Sequence, residues 1–287
     1  MIRNLRTSEG GFTIMELIIV LTVAVAITAS ALAVFNGRIP RTRFESSVND
    51  LASKIESTMS EISSGYYPNT GVDCSVGSSG RVQISSGSTE QGENSECIFI
   101  GSLVKFGRDT GSQGSSCSPS STGNCDVVRF YTLVGARADS SGEPYENIND
   151  ANPGINEALS QDYIIPYGTF ITKVEVGGDE DSVVGLAKTF GTSLSSNGDL
   201  EGASTSELLK LTTTTTLGNN DSNFETVFTN AGGPGGSKFA SINPSQGVLV
   251  CLASPGTNQF ATIEFGRSGA TGAVERFIQE GSPAAGC

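Results

Sequence analysis

The sequence contains no histidine and no tryptophan. Without histidine, the commonest general base and metal ligand are missing. Ser-His and Cys-His nucleophile pairs of the usual kind are therefore excluded. No C-x-x-C pair occurs among the six cysteines either, which argues against zinc. Positive charge is scarce: 17 Lys and Arg stand against 30 Asp and Glu. Residues 1–65 hold six of each sign, so the rest of the chain, with 11 basic and 24 acidic residues, carries the whole net charge of −13. Such a head repels nucleic acid at long range, and it has no Lys/Arg cluster to form a local basic patch. A nucleic-acid partner is not expected. No pair of carboxylates stands out by context for acid/base work, so neither an enzyme nor a cofactor is expected.

A second scarcity is local. From Phe12 to Phe35 the only ionisable side chain is Glu16. As α-helix these residues rise about 36 Å, enough to cross a hydrocarbon core of about 30 Å. A short leader with Arg3, Arg6 and Glu9 precedes them. A cleaved secretory signal is one reading, supported by Ala31-Leu32-Ala33, but the run exceeds the usual apolar core of about 7–15 residues and carries a carboxylate. A plain membrane anchor is another. It accounts for length and apolarity but not for Glu16 or for Gly10-Gly11 before Phe12.

The stretch Gly11-Phe12-Thr13-Ile14-Met15-Glu16-Leu17 resembles the prepilin signature of type IV pilins and type II secretion pseudopilins. The likeness covers residues 1–62. It joins a short basic leader, Gly at the cut, Phe after it, Glu five residues into the mature chain and a long apolar span. The resemblance implies that prepilin peptidase removes residues 1–11 by cutting between Gly11 and Phe12, and that the Phe12 amine is then methylated. It implies an α+β, pilin-like fold with a long N-terminal helix packed on an antiparallel β-rich head. Residues 12–35 would form the transmembrane and assembly half of that helix, 36–64 an amphipathic half, and 65–287 the extracytoplasmic head. The subunit would wait in the inner membrane as a single-pass protein. A pilus assembly platform would then pack it against other pilin subunits in an extracellular pilus or an envelope-spanning pseudopilus. The resemblance also implies that Glu16 pairs with the Phe12 amine of a neighbouring subunit and sets axial register.

Physical chemistry agrees with a special role for Glu16. A carboxylate inside a membrane costs up to about 2.5–3.5 kcal/mol at the helix centre and less near an end, and the helix dipole favours an anion in the first turn. Arg38, Arg41 and Arg43 follow the span, so the loop-charge rule alone does not place the head outside. Beyond them Phe44, Val48, Leu51, Ile55, Met59 and Ile62 recur at helical spacing and predict a buried stripe. Gly37 and Pro40 are expected to bend or loosen the helix between its halves.

After Gly65 and Pro68 the texture is β and loop. Strands are expected over 81–85, 96–106, 127–134, 163–176, 183–190, 208–217, 225–229, 248–253, 261–266 and 273–278. Residues 267–272 read as a hairpin turn. Segments 139–159, 193–206 and 231–237 read as loops, with Gly232–Gly236 an exposed turn. Thr212–Thr216 suits a strand or surface glycosylation. Acidic clusters at Asp179-Glu180-Asp181 and around Asn219-Asn220-Asp221 lack the calcium-loop pattern and read as solvated surface rather than a calcium site. Cys74, Cys97, Cys117, Cys125, Cys251 and Cys287 suit disulfides in an oxidising compartment. Fifteen pairings are possible; sequence-local pairing would join 74 to 97, 117 to 125 and 251 to 287.

The expected function is thus structural: a large or minor pilin serving adhesion or twitching motility. A secretion pseudopilin is the near alternative. A membrane-anchored extracellular binding module or enzyme, and a DNA-uptake subunit, are the distant ones.

Overall fold

The computed structural model describes residues 13–64, 72–77, 82–87, 96–108, 124–139, 141–143, 145, 147–188, 206–212, 224–225, 228, 237–243, 245–254, 258–267, 274–281, 283 and 287, a few of them by backbone alone. Two compact units result, Met1–Arg43 and Phe44–Cys287. One helix, α1, Ile14–Ser64, enters both.

No break separates the halves of α1: it continues as helix through Gly37 and Pro40. Proline lacks the N–H that would bond one turn back and so weakens one rung of the ladder. In the Phe44–Cys287 unit, α1 buries the expected stripe, with Phe44, Val48, Leu51, Ile55, Met59 and Ile62 all at most 3% exposed. Ala52 joins them, because a position four after Val48 lies on the same face.

The strands are β1 Val72–Val76, β2 Val82–Ser86, β3 Cys97–Arg108, β4 Asn124–Ala136, β5 Gln161–Ile164, β6 Phe170–Val176, β7 Asp179–Glu180, β8 Val183–Lys188, β9 Ser206–Leu211, β10 Phe239–Ser241, β11 Val248–Ala253, β12 Gln259–Phe265 and β13 Val274–Glu280. All pairings are antiparallel. They build a six-stranded sheet ordered β10-β9-β8-β3-β4-β5, a five-stranded sheet ordered β13-β12-β11-β6-β7, and the β1-β2 hairpin. The α+β class is therefore observed.

The main core lies where the helix stripe meets one face of each sheet. Val104, Phe106, Val128, Phe130, Val184 and Leu186 come from the six-stranded sheet, and Val174, Val176, Val250, Leu252, Ile263 and Phe265 from the five-stranded one. The six-stranded sheet also buries its other face. There Leu103, Tyr131, Leu133, Leu209 and Phe239 pack under Phe224 and Phe228, whose backbone is helical. Burial on both faces explains why β3 and β4 read as near-continuous apolar runs rather than alternating ones. Strand β3 approaches β8 closely: a Cβ on Gly101 would sit 2.0 Å from the Leu186 carbonyl oxygen.

Several strand expectations change in detail. The predicted strand over 163–176 is two strands in different sheets, β5 and β6, separated by the 3-10 turn Pro166–Gly168. Tyr167 and Gly168 take φ of 61° and 71°, which no continuous strand allows. The predicted strand over 225–229 is wrong where it is described, since Glu225 and Phe228 are helical. β9 ends at Leu211 with a turn at Thr212, so the expected strand does not extend into the threonine run as described; 213–216 lie outside the described residues. Asn219–Asp221, 193–205, 231–236 and the turn at 268–272 also lie outside them. β1, β7 and β10 were not expected; two are under four residues long, too short for periodicity to mark.

Side chains finish what the short strands leave open. The Asn149 amide closes the outer edge of β10: its oxygen accepts from the Lys238 and Phe239 N–H groups, both at 2.8 Å, and its nitrogen donates to the Phe239 carbonyl at 2.9 Å. Two disulfides follow the local pairing: Cys74–Cys97 ties β1 to β3, and Cys251–Cys287 ties β11 to the chain end. Cys125 is also disulfide-bonded, while Cys117 lies outside the described residues.

Candidate assembly face on the N-terminal helix

The first half of α1 has no stripe. Ile14, Met15, Leu17, Ile18, Ile19, Val20, Leu21, Val23, Val25 and Ile27 are each more than half exposed. At about 100° per residue, positions 17 to 21 alone cover every direction around the axis. Burying ten such side chains is worth on the order of 15–30 kcal/mol, so a wholly aqueous setting is strongly disfavoured. Ile14–Ala31 is long and apolar enough to cross a membrane and is wholly exposed. A membrane anchor and a signal sequence both fit that statement.

Hydroxyls within this segment do not spoil its apolarity. Thr22, Thr28 and Ser30 each donate to a carbonyl three or four residues back, at 2.9, 2.7 and 2.8 Å. Their polar groups are thereby satisfied inside the helix, as a low-dielectric surrounding requires.

Glu16 sits in the first turn and folds back onto the helix start. The Thr13 N–H donates to Glu16 Oε2 at 2.9 Å, and the Thr13 hydroxyl donates to the same oxygen at 3.0 Å. The Glu16 N–H donates to Thr13 Oγ1 at 3.3 Å, and the Leu17 N–H to the Thr13 carbonyl at 3.1 Å. This is a capping box, in which Thr at the N-cap and Glu three residues on satisfy each other's orphan N–H groups. The signal for it stands in the sequence as Thr13-x-x-Glu16, and a reading led by charge and apolarity misses it. Glu16 therefore has an ordinary local task as well as any intermolecular one. Its second oxygen, Oε1, takes no hydrogen bond among the described residues. Gly11 and Phe12 lie outside the described residues, so the predicted cleavage point has no described geometry.

The second half of α1 is held in the head by polar contacts as well as by its stripe. The Ser47 hydroxyl donates to the Phe44 carbonyl at 2.8 Å and lies 2.6 Å from the Thr169 hydroxyl; Ser47 and Thr169 are fully buried. The Tyr163 hydroxyl donates to Asp50 Oδ2 at 2.6 Å. Burial, reinforced by that bond, pushes the phenol up. Arg276 donates to Asn49 Oδ1 at 3.0 Å and pairs with Glu56 at 3.8 Å, and the Lys54 amine lies 5.5 Å from the Phe130 ring centroid. Contacts to β5, β13 and the turn before β6 fix both the rotation and the axial position of residues 44–62 in the head.

The acidic cluster lies on and after the β6–β7 hairpin. Asp179 accepts from the Lys210 amine. Asp181 accepts from the Val183 N–H at 3.2 Å through Oδ1, while Oδ2 is buried and unpaired among the described residues. Burial raises its carboxyl to about 6, against the opposing pull of the Val183 and Ser182 N–H groups and of Lys210. Among the described residues no group of three or more Cys, Asp or Glu side chains gathers in a way that could hold a metal ion. No family model matches the chain, and neither a curated protein nor a solved structure matches it.

Proposed function

We propose that this protein is a structural subunit of a type IV pilus filament, a large or minor pilin. Prepilin peptidase cuts it between Gly11 and Phe12. The mature chain stands in the inner membrane on residues 12–35 with its disulfide-bonded head outside, until the assembly platform draws it into the filament. Its work is assembly, not catalysis. The observation that carries the reading is a helix whose apolar side chains are exposed on every side and whose first turn holds the Glu16 carboxylate, with one oxygen that takes no hydrogen bond among the described residues. The capping box gives that carboxylate a use in any helix, a plain anchor included; a filament adds a charged partner for it. In a filament the Phe12 amine created by cleavage on one subunit is the natural partner for Glu16 of the next. In an apolar filament core the pair is poorly screened.

Mass spectrometry of the mature N-terminus tests the class. A chain starting at methylated Phe12 is the expected result; a chain starting after Ala33 overturns it. The capping box adds a sharper test of Glu16. Thr13→Ala breaks the box and keeps the carboxylate, whereas Glu16→Ala loses both. Normal processing in both variants, with filament incorporation lost only in Glu16→Ala, supports the register role. Equal loss in both would reduce Glu16 to a helix cap. Finding the subunit on sheared extracellular filaments separates a pilin from a secretion pseudopilin.

A further inference from the structure

The three arginines after the span are unused by the reading above. Arg38, Arg41 and Arg43 are exposed, and α1 is helical through all three. That continuity fixes their arrangement. At about 100° per residue, Arg41 points about 60° to one side of Arg38, and Arg43 about 140° to the other. Arg38 and Arg41 thus share a face and Arg43 lies on the far side, so no single face holds all three charges. They occupy about 7.5 Å of axis, beginning about 36 Å of rise beyond Ile14. A hydrocarbon core is about 30 Å thick, and each flanking headgroup layer takes up about 5–8 Å. Measured from Ile14, the headgroup layer runs from about 30 to about 38 Å and the collar from about 36 to about 44 Å; helical side chains tilt back toward the N-terminus, which brings the guanidinium groups to the outer edge of the layer. A protein partner reading one face would be met by a one-sided patch; a surrounding layer is met by charges on both sides.

We propose that Arg38, Arg41 and Arg43 form a collar that binds the phosphate groups of anionic phospholipids in the leaflet next to the head. This rests on the membrane-spanning part of the reading above. Guanidinium groups bind phosphate through paired N–H donors, and the arginine stem lies along the apolar boundary while its head reaches the phosphates. Arg41 and Arg43 also have contacts within the chain, as does Glu45. Five donors on each guanidinium leave room for both. The collar also answers a problem set by the head, whose net charge of −13 is repelled by an anionic surface. Three cations at the surface itself provide the short-range attraction the head lacks.

The absence of tryptophan supplies the assay. Ile39→Trp, at an exposed position inside the collar, introduces a single indole into the full-length chain. The variant is reconstituted into vesicles of phosphatidylcholine and phosphatidylglycerol in which either lipid carries bromine, a fluorescence quencher. Brominated phosphatidylglycerol should quench the indole fluorescence in excess of its bulk share, and salt should reduce the excess. The local preference should fall about fivefold for each arginine changed to glutamine, disappearing in R38Q/R41Q/R43Q. Equal quenching by the two lipids with the arginines intact overturns the collar and leaves the membrane span standing. No quenching by either lipid overturns the span and the collar together. If the triple variant keeps the lipid preference but loses association between subunits, the collar's partner is the acidic head of a second copy, and the lipid assignment is wrong.

Discussion

The two halves of α1 are built from one helix and obey opposite rules. In Ile14–Ala31 the apolar residues face every direction and all are exposed. In residues 44–62 they keep to one stripe, and that stripe is buried. The polar residues differ in the same sense. Thr22, Thr28 and Ser30 bond to their own helix, while Ser47, Asn49, Asp50 and Glu56 bond to strands and turns of the head. A helix whose hydroxyls are satisfied internally is free to change apolar surroundings. One whose polar groups are spent on a particular sheet is committed to it. The contrast separates a helix surface open to apolar surroundings from one fixed in the head.

The largest expected effect tests the commitment of the second half. Leu51→Ala should lower the stability of the head by about 2–5 kcal/mol, read as a drop in the denaturant midpoint. Leu17→Ala, equally conservative but in the exposed half, should leave that midpoint unchanged; a matching loss would erase the distinction between the halves. Next, Leu21→Arg near the middle of the span should cost about 2.5–3.5 kcal/mol of membrane insertion, read as a lower inserted fraction in a translocon insertion assay, with the head's midpoint again unmoved. An inserted fraction that Leu21→Arg leaves unchanged would mean the exposed half is not a span.

Smaller effects sharpen the same boundary. Ser47→Ala deprives the buried Thr169 hydroxyl of its partner and should destabilise the head by about 1–3 kcal/mol; a neutral result would show that the stripe alone sets the helix position. Asp181 lies where the chain crosses from β7 to β8, with its N–H donating to the Val174 carbonyl and the next carbonyl accepting from Phe106. Its carboxyl is raised in the folded head from 3.8 to about 6, so the folded state holds the proton more tightly than the unfolded one. The Asp181 contribution to stability should therefore be fully present below about pH 3.8, fall by about 1–3 kcal/mol as pH rises through about 6, and stay lost above. Asp181→Asn should remove that decline, and an unchanged pH profile would rule out Asp181 as its source. Smallest of all, Thr13→Ala should cost about 1 kcal/mol at the helix start, seen as a slight loss of helicity by circular dichroism and no change in the head.

Much of this was legible from residue order. Helix residues 44–62 could be read because a stripe at period 3.6 leaves its mark in any window. β11 could be read to the residue, because Val248–Ala253 is a short apolar run bounded by Gly247 and by Pro255 two residues beyond its end. The strand across 163–176 could not, because its two parts are alike in composition and only the left-handed backbone at Tyr167 and Gly168 sends them to different sheets. Residues 225–229 read as a strand because aromatic and β-branched residues favour strands; the cover that Phe224 and Phe228 provide for the second core exists only once β4, β9 and β10 are assembled beneath them. Thr13 was legible too, but the charge of Glu16 is the louder signal in the same turn.

Sequence by itself determined the exposed apolar span, its lone carboxylate, the capping pair Thr13 and Glu16, the buried stripe and the charge imbalance of the head. Each depends on neighbours within about one turn of helix or on composition, and such interactions need no fold to be defined. Tertiary structure alone decided the order of the strands, the burial of the six-stranded sheet on both faces, the partners of Ser47 and Asp50 on α1, and the desolvation of Asp181. Those depend on residues as far apart as 227 positions, as between Asn49 and Arg276. Contacts at such separations are selected by packing the whole core at once.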